Sequence, residues 1–131
     1  MMMTTFLDQL TSPTRAVVQK LLKKKFRNPG RLHSEVDRHV DALRRAALRG
    51  RVNSEKAVLV GRACHQLMES VSYRSGESIA IAQVALAYFI DPNDAIPDFD
   101  RPDGLDDDLE VLRAAVRVLG IDQSNEMGLD A

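Results

Sequence analysis

The stretch Tyr88-Phe89-Ile90-Asp91-Pro92-Asn93-Asp94-Ala95-Ile96-Pro97-Asp98-Phe99-Asp100-Arg101-Pro102-Asp103-Gly104-Leu105-Asp106-Asp107-Asp108 decides how this chain is read. It joins the most apolar segment, Ile79 to Ile90, to the cleanest amphipathic one, Leu105 to Leu119, and it holds three of the five prolines. Proline fixes φ, and aspartate side chains bind nearby backbone N–H groups. So much fixed backbone chemistry in so few residues marks a specified turn rather than a loose linker.

Both flanks read as helix. The segment from Glu77 to about Ile90 is apolar nearly all round, with Gln83 as the strongly polar exception, the mark of a central, buried helix. Its alanines and length favour helix over strand, and Pro92 cannot continue it. Downstream, Leu105, Leu109, Leu112, Val116 and Leu119 recur at 4-3-4-3 spacing before Gly120, which is one face of a helix and its stop.

Three more helices are predicted upstream. Ser12-Pro13 supplies a cap and a first helical residue for a helix bearing Val17, Val18, Leu21 and Leu22, stopped by Asn28-Pro29-Gly30. Ser34 caps the next, with Val36, Val40, Leu43 and Ala47 on one stripe. Asn53-Ser54 opens the third and longest, reaching about Arg74 through Val60, Ala63, Cys64, Leu67, Met68 and Val71. Gly61 inside it costs about 1 kcal/mol relative to Ala unless close packing requires it. Thr4 to Leu10 reads as a single helical turn, and residues 121–131 as a flexible tail. The expected architecture is one all-α domain over residues 1–131, a bundle of about five helices with the Asp/Pro-rich turn between the last two.

Composition agrees. Apolar residues make up 44% and charged residues 28%, the balance of a soluble globular chain. Six aromatic residues and no Trp suit packed helices better than a β-sandwich. Cys64 is alone, which excludes an intrachain disulfide and a cysteine zinc cluster. The N-terminus lacks the basic and long apolar regions of a secretory signal. The run Ser78 to Ile90 is shorter than the ~20 residues of a membrane span. These features point to a cytoplasmic protein.

Net charge is −1, but Arg15 to Lys56 holds thirteen Lys or Arg against four acids, and Asp91 to Glu110 holds nine acids against Arg101. That asymmetry defines two candidate sites. In the acidic one, the residues suit turn-building: Asp94 in an Asx turn, Asp103 or Asp106 as a helix cap, Asp107 and Asp108 beside a helix N-terminus. The same carboxylates also offer a divalent-cation site at Asp94, Asp98, Asp107 and Asp108. An EF-hand does not fit, because setting Gly104 at its sixth position puts Phe99 and Arg101 at the first and third. In the basic half, Lys23, Lys24 and Lys25 head a cluster with Lys20, Arg27 and Arg31. Such a cluster suits phosphates on nucleic acid or an anionic membrane surface, an acidic protein partner, or a second copy of the chain.

Other chemistry finds little support. His33, His39 and His65 lack i, i+4 spacing, and there is no H-E-x-x-H. Cys64 and His65 are neighbours about 100° apart on a helix, so they face different ways. No P-loop, G-x-G-x-x-G or G-x-S-x-G occurs, and no cofactor is expected beyond the divalent cation.

The pattern Tyr88-x3-Pro92-x-Asp94-x-Ile96-Pro97-Asp98, followed by Gly104 and Asp107-Asp108, resembles the YkvA-like family of bacterial domains of unknown function. The resemblance is confined to residues 88–108. Where the family often carries a hydrophobic, proline-containing loop, this chain has the polar Phe99-Asp100-Arg101-Pro102-Asp103. The resemblance implies a small helical module, often near membranes or fused to other domains, with no established reaction. Residues and resemblance together lead to a non-catalytic interaction or scaffold module.

Overall fold

In the computed structural model, whose described residues are 2–24, 29–48, 54–74, 76–90 and 105–121, six helices form: α1 (Met2–Asp8), α2 (Ser12–Leu22), α3 (Pro29–Ala47), α4 (Ser54–Ser70), α5 (Gly76–Ile90) and α6 (Asp106–Leu119). There is no strand among the described residues. The all-α expectation holds, and α1 is the addition to the five helices expected.

The all-round apolarity of α5 sets the architecture. A helix without a polar face must be covered on every side, and α5 packs against each of the other five helices. Ile81, Ala82, Val84, Leu86, Tyr88 and Phe89 are fully buried in it. Around it α3 lies on α4, α4 and α1 both touch α6, and α1 meets α2. One continuous apolar core results.

The start of the chain is tied down rather than left as a lone turn. Phe6 is fully buried. The Arg15 guanidinium donates to the Leu7 and Leu10 carbonyls, each at 2.9 Å, at and just beyond the end of α1. Glu77 accepts the Met3 N–H from α5 at 3.3 Å.

Several helix ends differ from the expected ones. The N-cap position of α2 is Thr11, one residue earlier than Ser12, and its side chain makes no capping bond. Glu110 of α6 accepts the Thr11 N–H at 2.7 Å and the Thr14 hydroxyl at 3.1 Å, so a neighbouring helix supplies the acceptor. Helix α3 begins at Pro29, not after Ser34, whose hydroxyl instead donates to the Gly30 carbonyl one turn back. Proline at a first helical position competes with a serine cap for the same start, and here proline sets it. The longest helix is therefore α3, at 19 residues, and α4 stops at Ser70. Asn28, Gly50 and Asn53 lie outside the described residues. At the end of α6, Gly120 is left-handed (φ +67°), the Gly120 N–H reaches Arg117 O, and the Ile121 N–H reaches Val116 O. This is a Schellman closure. It buries Ile121, the first residue of the stretch expected to be a flexible tail, and 122–131 lie outside the described residues.

Candidate functional site

Sequence spacing puts Asp106, Asp107 and Asp108 on three successive directions of the first turn of α6, about 100° apart. The structure separates them accordingly. Asp106 faces outward and pairs with Lys56 of α4 at 2.5 Å. It is not the cap, since the N-cap position belongs to Leu105, which makes no side-chain capping bond. Asp103 lies outside the described residues. Asp107 and Asp108 point inward and are 3% and 1% exposed.

Asp107 is held by groups of known geometry. The Tyr88 hydroxyl, itself fully buried near the end of α5, donates to Asp107 Oδ2 at 2.7 Å. The Asp108 N–H donates to Asp107 Oδ1 at 3.1 Å. A carboxylate buried this far is tolerated only with such partners, and the α6 N-terminus adds a favourable field. The first residue of the 88–108 stretch is thus bonded to one of its last, and the bond fastens α5 to α6.

Of the four carboxylates expected to share a cation, Asp94 and Asp98 lie outside the described residues. Among the described residues no three His, Cys, Asp or Glu side chains are grouped to hold a metal ion. Within the basic cluster, Lys20, Lys23 and Lys24 are exposed on α2 and the turn after it, whereas Lys25 and Arg27 lie outside the described residues. Arg31, Arg38, Arg44 and Arg45 are exposed on α3. A hollow of about 560 Å³ near the end of α3 is lined by Asp41, Arg44, Arg45, Leu48 and Ser54 among others. No helix among the described residues is long and apolar enough to cross a membrane.

Cys64 is fully buried, and burial pushes its thiol pKa up. The thiolate is the nucleophile, so this cysteine is chemically silent in the folded protein. A thiol reagent such as DTNB is expected to label it slowly, at a rate set by opening of the fold, and at once in denaturant. Rapid labelling of the native protein would contradict that placement.

One grouping escapes sequence reasoning. The rings of His33 of α3 and His65 of α4 meet edge to edge, with centroids 4.7 Å apart and planes 25° from parallel. Their Nδ1 atoms are in direct contact, and His65 Nε2 meets Asp37 Oδ1 at 2.7 Å. The missed signal is a pair of i, i+4 relations, His33 with Asp37 and His65 with Glu69, one on each helix. The histidines themselves are 32 residues apart, so only the register between the two helices brings them together.

Burial chiefly, and then His65, lower the His33 pKa, while Glu69 and Asp37 oppose the shift. A histidine that binds its proton less well when folded stabilises the fold above its ordinary pKa. That contribution is lost as pH falls from about 6.5 through the lower folded value. Thermal melts are expected to show falling Tm from pH 7.5 to 5.5, with a shallower fall in His33→Gln. An identical slope in the variant would remove His33 from that account.

Comparisons with family models, with curated proteins and with solved structures find no match to this chain.

Proposed function

We propose that this chain is a non-catalytic interaction or scaffold module of the YkvA-like type, acting in the cytoplasm. The observation that carries this reading is the buried Tyr88–Asp107 hydrogen bond. It gives the most distinctive stretch of the sequence a structural task, joining α5 to α6, and turns part of the acidic cluster inward instead of toward a substrate. The buried thiol of Cys64 adds no nucleophile. Binding then falls to the surface, where the exposed lysines and arginines of α2 and α3 suit an acidic partner protein, a second copy of the chain, or phosphates.

The deciding experiment is a broad hydrolase screen run beside melts with excess Mg²⁺, Mn²⁺ or Ca²⁺. No turnover and an unchanged Tm are expected. A chelator-reversible rise in Tm would instead favour the carboxylate site at Asp94, Asp98, Asp107 and Asp108, because a ligand that binds only the folded state stabilises it. Turnover abolished by Asp98→Asn in a still-folded protein would replace the scaffold reading with an enzymatic one. Salt-sensitive retention on heparin, lost when Lys23, Lys24 and Lys25 are all changed to Ala, would name phosphates as the partner.

A further inference from the structure

The histidine pair between α3 and α4 has no part in that reading. We propose that His33 and His65 form a two-imidazole site for a divalent transition-metal ion of the zinc, copper and nickel class, with Asp37 as the positioning residue. The geometry gives the reason. Two Nδ1 atoms in contact cannot both carry a hydrogen, so two lone pairs share one cationic or hydrogen-bonded centre. A proton fills that place in one state. A metal fills it in another once the rings part to a nitrogen separation of roughly 3.3 Å, the spacing set by metal–nitrogen bonds of about 2.0–2.1 Å at a tetrahedral angle.

Asp37 prepares the pair. Its Oδ1 at 2.7 Å from His65 Nε2 holds the hydrogen on that nitrogen and leaves the lone pair on Nδ1, facing His33. Carboxylate–histidine–metal arrangements fix the ligand tautomer in this way. Around the pair, Asp37 and Glu69 both act on His33 in the direction that favours positive charge. Imidazole donors select zinc, copper and nickel, whereas Mg²⁺ and Ca²⁺ prefer oxygen. His65 is 28% exposed at its side chain and Asp37 71%, so an ion reaches the site from solvent. Because no three donors are pre-arranged among the described residues, the described residues supply two nitrogens and water completes the shell. The site is therefore weaker than a four-ligand structural zinc site.

The test titrates Zn²⁺ into tag-free protein by calorimetry in a non-chelating buffer, and reads Cu²⁺ coordination by electron paramagnetic resonance. One-to-one Zn²⁺ binding is expected, with Mg²⁺ and Ca²⁺ giving none at that stoichiometry. His33→Gln and His65→Gln should each weaken it at least about tenfold, and Asp37→Asn by about 10–100-fold through the positioning role. His39→Gln should leave it unchanged, since His39 stacks edge-on against Phe89 at 4.7 Å instead. The Cu²⁺ spectrum of the native protein should report two coordinated nitrogens, a readout that needs no variant to fold. Fewer than two nitrogens, absence of Zn²⁺ binding, or a Zn²⁺ affinity unchanged by His33→Gln in a folded protein would overturn the proposal.

Discussion

Replacing Asp107 with Ala is expected to lower the unfolding free energy by about 3 kcal/mol, because it leaves the buried Tyr88 hydroxyl and the Asp108 N–H without the acceptor they now share. For a chain of this length that is a fall in Tm of roughly 10 °C. Tyr88→Phe should cost about 1.5–3 kcal/mol, the range for a hydrogen bond to a charged group. The double variant separates the bond from everything else each side chain does. If the bond fastens α5 to α6, the two losses will not add, and the coupling will exceed about 1 kcal/mol. Additive losses would show Tyr88 and Asp107 stabilising the fold independently. Asp107→Asn is the informative intermediate. It keeps an oxygen for Tyr88 but gives up the charge that the α6 N-terminus favours, so its loss should be smaller than that of Ala.

That bond also shows where sequence reading stops. The 88–108 stretch stands out through its prolines, its aspartates and the helical patterns on either side, and those same patterns give α5 its central place and α6 its apolar face. Whether a first-turn aspartate looks outward or inward is another matter. Asp106, Asp107 and Asp108 are identical in type and adjacent in sequence, yet one meets Lys56 on the surface and two are buried. Their fates follow from how α6 is rotated against α5 and α4, which no local pattern encodes. The helix starts repeat the lesson. The Thr11 N–H at the start of α2 is met by Glu110 from 99 residues away, and α1 is held by Arg15 and Glu77 from other helices. Where one segment carries the whole signal, as with the Gly120 stop of α6, sequence and structure agree residue for residue.

The histidine pair belongs to the same class. Dismissing a site because His33, His39 and His65 lack i, i+4 spacing tests one helix at a time. The relevant spacing is duplicated across two helices, with a carboxylate one turn beyond each histidine, and it becomes a cluster only when α3 and α4 meet at one register.

Gly61 sets how closely those two helices meet, and it gives the second large effect. A Cβ built at Gly61 would lie 2.5 Å from Val40 Cγ2, too close for two carbons. Valine in a helix is held to one χ1 rotamer, so it cannot swing aside cheaply, and α3 must move instead. Gly61→Ala gains about 1 kcal/mol of helix propensity against about 1–3 kcal/mol of overpacking, a net loss of about 1 kcal/mol. Gly61→Val forgoes most of the propensity gain and doubles the intrusion, for a loss of about 3 kcal/mol. Denaturant melts of the two variants measure both values. Val40→Ala should rescue Gly61→Ala by making room, so that here too the double variant loses less than the sum of the single losses. His65 lies one turn along from Gly61 on the same face of α4, and α3 carries His33 on the side that bears Val36 and Val40. Forcing the helices apart at Gly61 should therefore part the two imidazoles and flatten the pH dependence of Tm. If Gly61→Ala instead stabilises the protein, the glycine is only a tolerated defect in α4, and the close approach of α3 needs another cause.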